Sequence, residues 1–229
     1  MQDIWENYDL FLKAFGLTLG LLVVSGVLSL LLGIFLAALR VGPVSLLRRL
    51  AAVYVTVARN TPLVVVFIFF ATVGPRLGYT FNSVEQLDIG GYHVSGYFFR
   101  SCLALTLYTS AFVCEALRSG INAVPLGQAE AARAIGLTFA GSMRQVILPQ
   151  ALRAAVPPLA SVQIALAKNT SVAAAFGMLE ATARMKFFIN RNADDMVLVF
   201  VIFALGYVLI VEVISFGANR FERRFAAAR

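Results

Sequence analysis

Two cations stand inside stretches that are otherwise apolar. Arg59 lies about nine residues into a segment running from about Leu50 to Val73. Lys168 lies about eleven residues beyond Pro157 in a segment from about Leu152 to Phe176. At about 1.5 Å of rise per residue, straight helices place both roughly 13–17 Å from one face of a bilayer, near its middle. A charge at that depth is costly and needs a partner or a wet cavity. Each cation also begins a similar tetrapeptide, Arg59-Asn60-Thr61-Pro62 and Lys168-Asn169-Thr170-Ser171. Asn and Thr bring polar groups that reach a ligand or a neighbour, and Pro62 frees a backbone carbonyl. The two segments are therefore expected in related places around one cavity, with Arg59, Asn60, Thr61, Lys168, Asn169 and Thr170 as candidate substrate-binding residues. The guanidinium offers a planar fork suited to a carboxylate, whereas the ammonium is a point charge. With no carboxylate expected at that depth, the pattern favours an acidic or neutral polar ligand over a basic one. The alternative is structural pairing with Glu115 or Glu212, although Arg118, three residues on, is the nearer candidate partner for Glu115.

Other chemistry is absent from the pattern. One histidine and two cysteines give no Ser-His-Asp arrangement and no metal-ligand spacing. The three lysines follow Leu12, Ala167 and Met185, so no Gly-Lys pair opens a P-loop. Any ATP that drives this protein is hydrolysed by another chain. Cys102 and Cys114, twelve residues apart on one expected helix, are about 18 Å apart and cannot form a disulfide with each other; they are read as core packing. His93 lies in a polar loop and receives no role.

The elements that must position these residues follow from composition. The chain of 229 residues is 60% apolar and 14% charged, with a mean hydropathy of +0.83. Soluble domains carry about 25% charged residues, so this is an integral membrane protein. Five apolar segments, beginning near Ala14, Leu50, Tyr97, Leu152 and Met196, predict an all-α membrane protein with five transmembrane helices in a single domain, 1–229. The acidic start, Met1–Asp9, does not fit a cleaved signal peptide. The net charge of +7 requires no nucleic acid, because membrane proteins gather Arg in cytoplasmic loops. The first connection, the third and the tail carry eleven cations, against five or six on the other side. That count places the N-terminus outside and the third connection and C-terminus in the cytoplasm.

The third connection, about 118–150, is itself amphipathic. Asn122, Pro125 and Gly127 are expected to break the preceding helix. Gln128–Ile135 follows as a run of helix formers with Ala at four of eight positions. Glu130 and Arg133 are spaced for an i,i+3 pair. Ala131 and Ala132 present little side chain, so another backbone can approach closely. Gly136 permits a sharp redirection, Phe139–Val146 can form a second short piece, and Pro149 opens the next span. Such a helix either docks a cytoplasmic partner or lies on lipid headgroups.

The spacing Glu130-Ala131-Ala132, Gly136, Val146-x-Leu148-Pro149 resembles the EAA loop of permease subunits of bacterial ABC importers. Val146 departs mildly from the usual Ile. With Arg59-Asn60-Thr61-Pro62, the run from Glu115 to Ile121 and Lys168-Asn169-Thr170-Ser171, the likeness extends over most of the chain. It is to the five-helix permeases of polar amino-acid ABC importers, and among them to glutamate-uptake permeases. The resemblance implies the type I importer permease fold and a place in the bacterial inner membrane. It implies a dimer with an identical or related permease, two ATPase subunits that hold ATP and Mg, and an extracytoplasmic substrate-binding protein. It makes Gln128, Glu130, Ala131, Ala132, Arg133 and Gly136 the ATPase-coupling residues, and it implies that this chain carries no cofactor and is not an enzyme. The rival reading is a membrane channel or scaffold not coupled to ATP.

Overall fold

The computed structural model describes residues 7–78, 87–89, 92–191 and 193–226. Met1–Glu6, most of the loop between Gly78 and Tyr92, and the last three residues lie outside them. The acidic tail, much of the polar loop, and the side chains of His93, Arg224 and Arg229 therefore belong to the undescribed part. The described residues are almost entirely helical. The exception is a short antiparallel hairpin, β1 (Leu87–Ile89) with β2 (Tyr92–Val94), which pairs Leu87 with Val94 and Ile89 with Tyr92.

Two long helices form the centre. α1 (Tyr8–Val41) buries Ala14, Thr18, Leu21, Ser25, Gly26, Ser29 and Gly33 along one stripe. That stripe of small residues lets the backbone of α5 (Gly96–Asn122) approach closely, as expected where lipid supplies no hydrophobic drive between helices. At Gly33 an added Cβ would lie 2.6 Å from Val113 Cβ. α5 keeps 61% of its most apolar window inside the molecule, and α1 keeps 44%. Cys102 and Cys114 on α5 are buried free thiols, as core packing requires.

The second apolar segment is not one straight helix. α2 (Ser45–Asn60) ends where Pro62 removes an N–H, and Thr61 takes the extended conformation that a following proline favours. α3 (Leu63–Ile68) then leaves at 101° and continues through a wide turn, Phe69–Val73, into the single turn α4 (Gly74–Arg76). The segment is therefore not one straight span, and Arg59 sits in the last turn of α2, just before the bend.

Beyond α5 come α6 (Leu126–Ala134), α7 (Phe139–Ser142), a wide turn Met143–Ile147, and α8 (Leu148–Asn169) with Pro157 and Pro158 inside it. α8 tightens into a 3₁₀ segment, Thr170–Phe176, that ends at Gly177 with φ +91°. α9 (Ala181–Arg191) and α10 (Met196–Ala226) complete the chain. Among the described residues three helices, α1, α5 and α10, are long and apolar enough to cross a membrane, and the bent α2–α3 pair makes a fourth if it is one broken span. α8 has 22 residues, enough for about 33 Å, but Arg153, Gln163 and Lys168 lower its apolarity.

Glu180 ties the last helices to the first. It is fully buried. Its carboxylate accepts hydrogen bonds from the Tyr207 hydroxyl at 2.6 Å, the Thr18 hydroxyl at 3.3 Å and the Ala183 N–H at 3.1 Å. One side chain thereby caps α9 and bridges α1 to α10.

Candidate functional site

Both tetrapeptides coincide with a break in helical geometry, one at the α2–α3 bend and the other at the passage from α8 into its 3₁₀ extension. Each break sets polar groups against one face of α5.

Arg59 lies 3.7 Å from Glu115 on α5, and its guanidinium stands 5.9 Å from the Phe112 ring centroid. Glu115 is the hub of a cluster. Arg40, at the end of α1, donates directly to it, and Arg118 lies 3.8 Å away. Two expectations are thereby corrected. A carboxylate does stand beside Arg59, and the closest partner of Glu115 is Arg40, not Arg118. Arg40 is only 13% exposed while Arg59 is 47% exposed, so the Arg40 pair is the firm one and the Arg59 pair is worth little in water. One carboxylate facing three guanidiniums leaves two positive charges in excess.

The remaining candidates divide. Asn60 is exposed. The Thr61 hydroxyl donates to the Val57 carbonyl at 2.8 Å, and Thr61 lines an open pocket of about 310 Å³ with Tyr54 and Tyr108. Asn169 lines a second pocket of about 400 Å³ with Tyr108, Thr109, Phe112 and Ser161. Tyr108 belongs to both, so the two breaks meet on its ring. Lys168 is exposed, and among the described residues its ammonium has neither an ion pair nor a hydrogen bond, to Glu212 or to any other acid. Thr170 is fully buried and donates to the Ala167 carbonyl at 2.7 Å; it faces the core and not the pocket.

Sequence reasoning missed a further contact. Phe67 and Phe176 stack with centroids 5.4 Å apart and planes 17° apart. Each stands eight residues beyond the cation that opens its tetrapeptide. That equal spacing was the available signal.

The loop between α5 and α8 is built on local rules. Pro125 precedes α6 with extended ψ, and Gly136 redirects the chain with φ +87°. Thr138 caps α7 by accepting from Gly141 N–H at 3.2 Å. Gly127 does not break the preceding helix; it lies inside α6, one residue after its start. Gln128, Glu130, Ala131, Arg133 and Gly136 are exposed, but Ala132 is turned inward and is 3% exposed. Ala132 therefore packs on its own chain and presents no face to a partner. No Glu130–Arg133 ion pair forms among the described residues. Leu126 and Ile135 are 82% and 78% exposed, which leaves large apolar side chains on the loop's surface.

Helices too apolar for water, with polar breaks around a shared aromatic face and an exposed loop between two packed helices, define an integral membrane protein. The chain belongs to the family of binding-protein-dependent transport system inner membrane components, whose sequence model matches residues 29–227. It is 40% identical to the glutamate transport system permease protein GluC of Corynebacterium efficiens, with all of both chains covered. It is 34% identical to the glutamate/aspartate import permease protein GltJ of Escherichia coli K12, over 93% of this chain and 85% of that one. A crystal structure of an amino acid ABC transporter with histidines matches with a TM-score of 0.82 and 27% identity, over 97% of each chain. The chain is thus a multi-pass inner-membrane permease subunit and not itself an ATPase. Membership implies an ATPase, a substrate-binding protein and a second permease subunit as partners, which removes the reading as a channel or scaffold without ATP.

Proposed function

We propose that this chain is the translocating subunit of an ATP-driven glutamate importer. It acts as one domain, 1–229, with five spans, its N-terminus outside, and the loop of about 118–150 and the C-terminus in the cytoplasm. It pairs with a like or related permease, and the pair engages two ATPase subunits that hold ATP and Mg through Gln128, Glu130, Ala131, Arg133 and Gly136. Substrate passes the face made by Tyr108 and Phe112, near Arg59, Asn60, Thr61, Lys168 and Asn169.

The observation that supports glutamate is the uncompensated positive charge on that face. Among the described residues Lys168 has no acid partner, and the Glu115 cluster carries three guanidiniums for one carboxylate. Glutamate brings two carboxylates against one ammonium, whereas a basic amino acid would meet a face whose carboxylate, Glu115, is already outnumbered by guanidiniums. The permease names of the Corynebacterium and Escherichia relatives agree with that charge.

The test uses the assembled complex in vesicles with a glutamate-loaded binding protein. Lys168→Met and Arg59→Gln are expected to lower uptake and substrate-stimulated ATPase activity about tenfold, the worth of one charged hydrogen bond. Arg59→Lys is expected to be milder than Arg59→Gln. Wild-type uptake and stimulation in both Lys168→Met and Arg59→Gln would move the substrate path elsewhere and leave these cations structural.

A further inference from the structure

A third cation lies unclaimed at the end of α5 remote from the loop. Arg100 is about 33 Å along α5 from Asn122 and about 22 Å from Glu115. At that separation Glu115 cannot form an ion pair with it, which needs a contact within about 4 Å. Its guanidinium stands 4.5 Å from the Tyr97 ring centroid. Its Nε–H is buried without an acceptor, and among the described residues it makes no ion pair. A guanidinium N–H removed from water and left unpaired is costly. The described protein groups leave that N–H to a water or to an arriving ligand.

Arg100 faces a cavity of about 10 Å³ lined by Phe67, Phe70, Tyr97, Ser101 and Phe176. That space holds one water and no amino acid. The stacked rings of Phe67 and Phe176 form one wall of it. Behind Phe176 the backbone turns at Gly177, where φ is +91° and an added Cβ would lie 2.7 Å from Tyr97 Cε1. Tyr97 is therefore seated directly on the glycine, with Arg100 on the same ring. The ring pair and the cation line one space, and the two rings follow the two polar breaks at equal spacing.

We infer that Arg100 is a carboxylate-recognition residue at the mouth opposite the α5–α8 loop, covered by the Phe67–Phe176 stack, and that it takes an anionic substrate before Arg59 and Lys168 do. Cation–π contact fixes the guanidinium plane and leaves its N–H edge for the two oxygens of a carboxylate. Parting of the two rings, with Gly177 as the pivot, admits the ligand. The inference rests on the glutamate-permease reading, and the two fail differently.

The experiment measures ATP-driven glutamate uptake by the complex in vesicles with its binding protein, and leak of preloaded glutamate without ATP. Arg100→Gln is expected to lower uptake about tenfold, with the complex recovered in wild-type yield and melting at the wild-type temperature. Arg100→Lys, which keeps the charge, is expected to restore at least about a third of the loss. Phe176→Ala is expected to raise the ATP-free leak by about threefold or more. Wild-type uptake in Arg100→Gln overturns the inference and leaves the glutamate reading intact. Equal losses in Arg100→Gln and Arg100→Lys with a lowered melting temperature also overturn it, because they mark a packing role. An unchanged leak in Phe176→Ala overturns the covering role of the stack. A wild-type complex that moves no glutamate overturns both readings before any variant is compared.

Discussion

Replacing Gly120 by alanine tests how tightly the loop's two supporting helices are joined. A Cβ at Gly120 would lie 2.8 Å from Ala155 Cβ, 3.0 Å from Ala155 N, and closer still to the Ala151 carbonyl oxygen. Two of these three atoms are backbone, so no rotamer change relieves the overlap. Ordinary contacts of about 3.4–4 Å require α5 and α8 to part by about 1 Å. Overpacking of this kind costs about 1–3 kcal/mol, and the backbone clash points to the upper part of that range. Alanine's better helix propensity returns about 1 kcal/mol, leaving a net loss of about 1–2 kcal/mol. For a chain of this size that is a fall in Tm of about 2–8 °C. Gly127→Ala is the control, since no atom lies within 4 Å of its added Cβ and the same propensity term stabilises α6. Thermal melts of the purified complex measure both, and ATPase retention on the washed complex reports whether the loop has moved. A Tm for Gly120→Ala within 1 °C of wild type would refute the close approach, as would an equal fall in Gly127→Ala.

Ala131→Trp and Ala132→Trp separate docking from packing: the first should reduce ATPase association with a normal melt, while the second should lower the melt itself. Equal behaviour in a pull-down and a thermal scan would contradict the opposed directions of the two side chains. Sidedness is checked with Asn7→Cys and Asn219→Cys, of which only the first should react with an impermeant thiol reagent applied outside. Glu180→Ala strands the Ala183 N–H, leaves the Tyr207 hydroxyl only its 2.9 Å contact with the Thr182 hydroxyl, and should lower stability by about 2–4 kcal/mol. Glu180→Gln should recover part of that in the same melt.

The long apolar helices were legible in the sequence because bilayer thickness imposes both length and composition on them. The redirection at Gly136 was legible because the turn needs a positive φ. The 101° bend was not. Pro62 permits a break, but the angle is set by where Leu63 and Phe67 find their core, and that depends on residues far away in sequence. The partner of Glu115 was misjudged for the same reason: Arg118 is near in sequence, but Arg40 is near in space. Ala131 and Ala132 look alike on paper. Only the phase of α6 against the Met143–Ile147 turn decides which one is inside. Thr61 and Thr170 hold matching places in similar tetrapeptides, yet one reaches a pocket and the other the core, since proline breaks the first helix and the second only tightens.

The helices divide their freedom to vary unequally. α5 keeps 61% of its central window inside the molecule, whereas α10 keeps 11%. Within this chain a saturation library should therefore tolerate most apolar exchanges along α10 outside Val199, Phe203, Tyr207 and Gly206, where an added Cβ would run into the Phe15 ring, while α5 rejects changes of a single methyl group at many positions. Within this chain α10 is the helix most open to redesign, for instance to carry a tag or a fluorophore, and α5 is the least open.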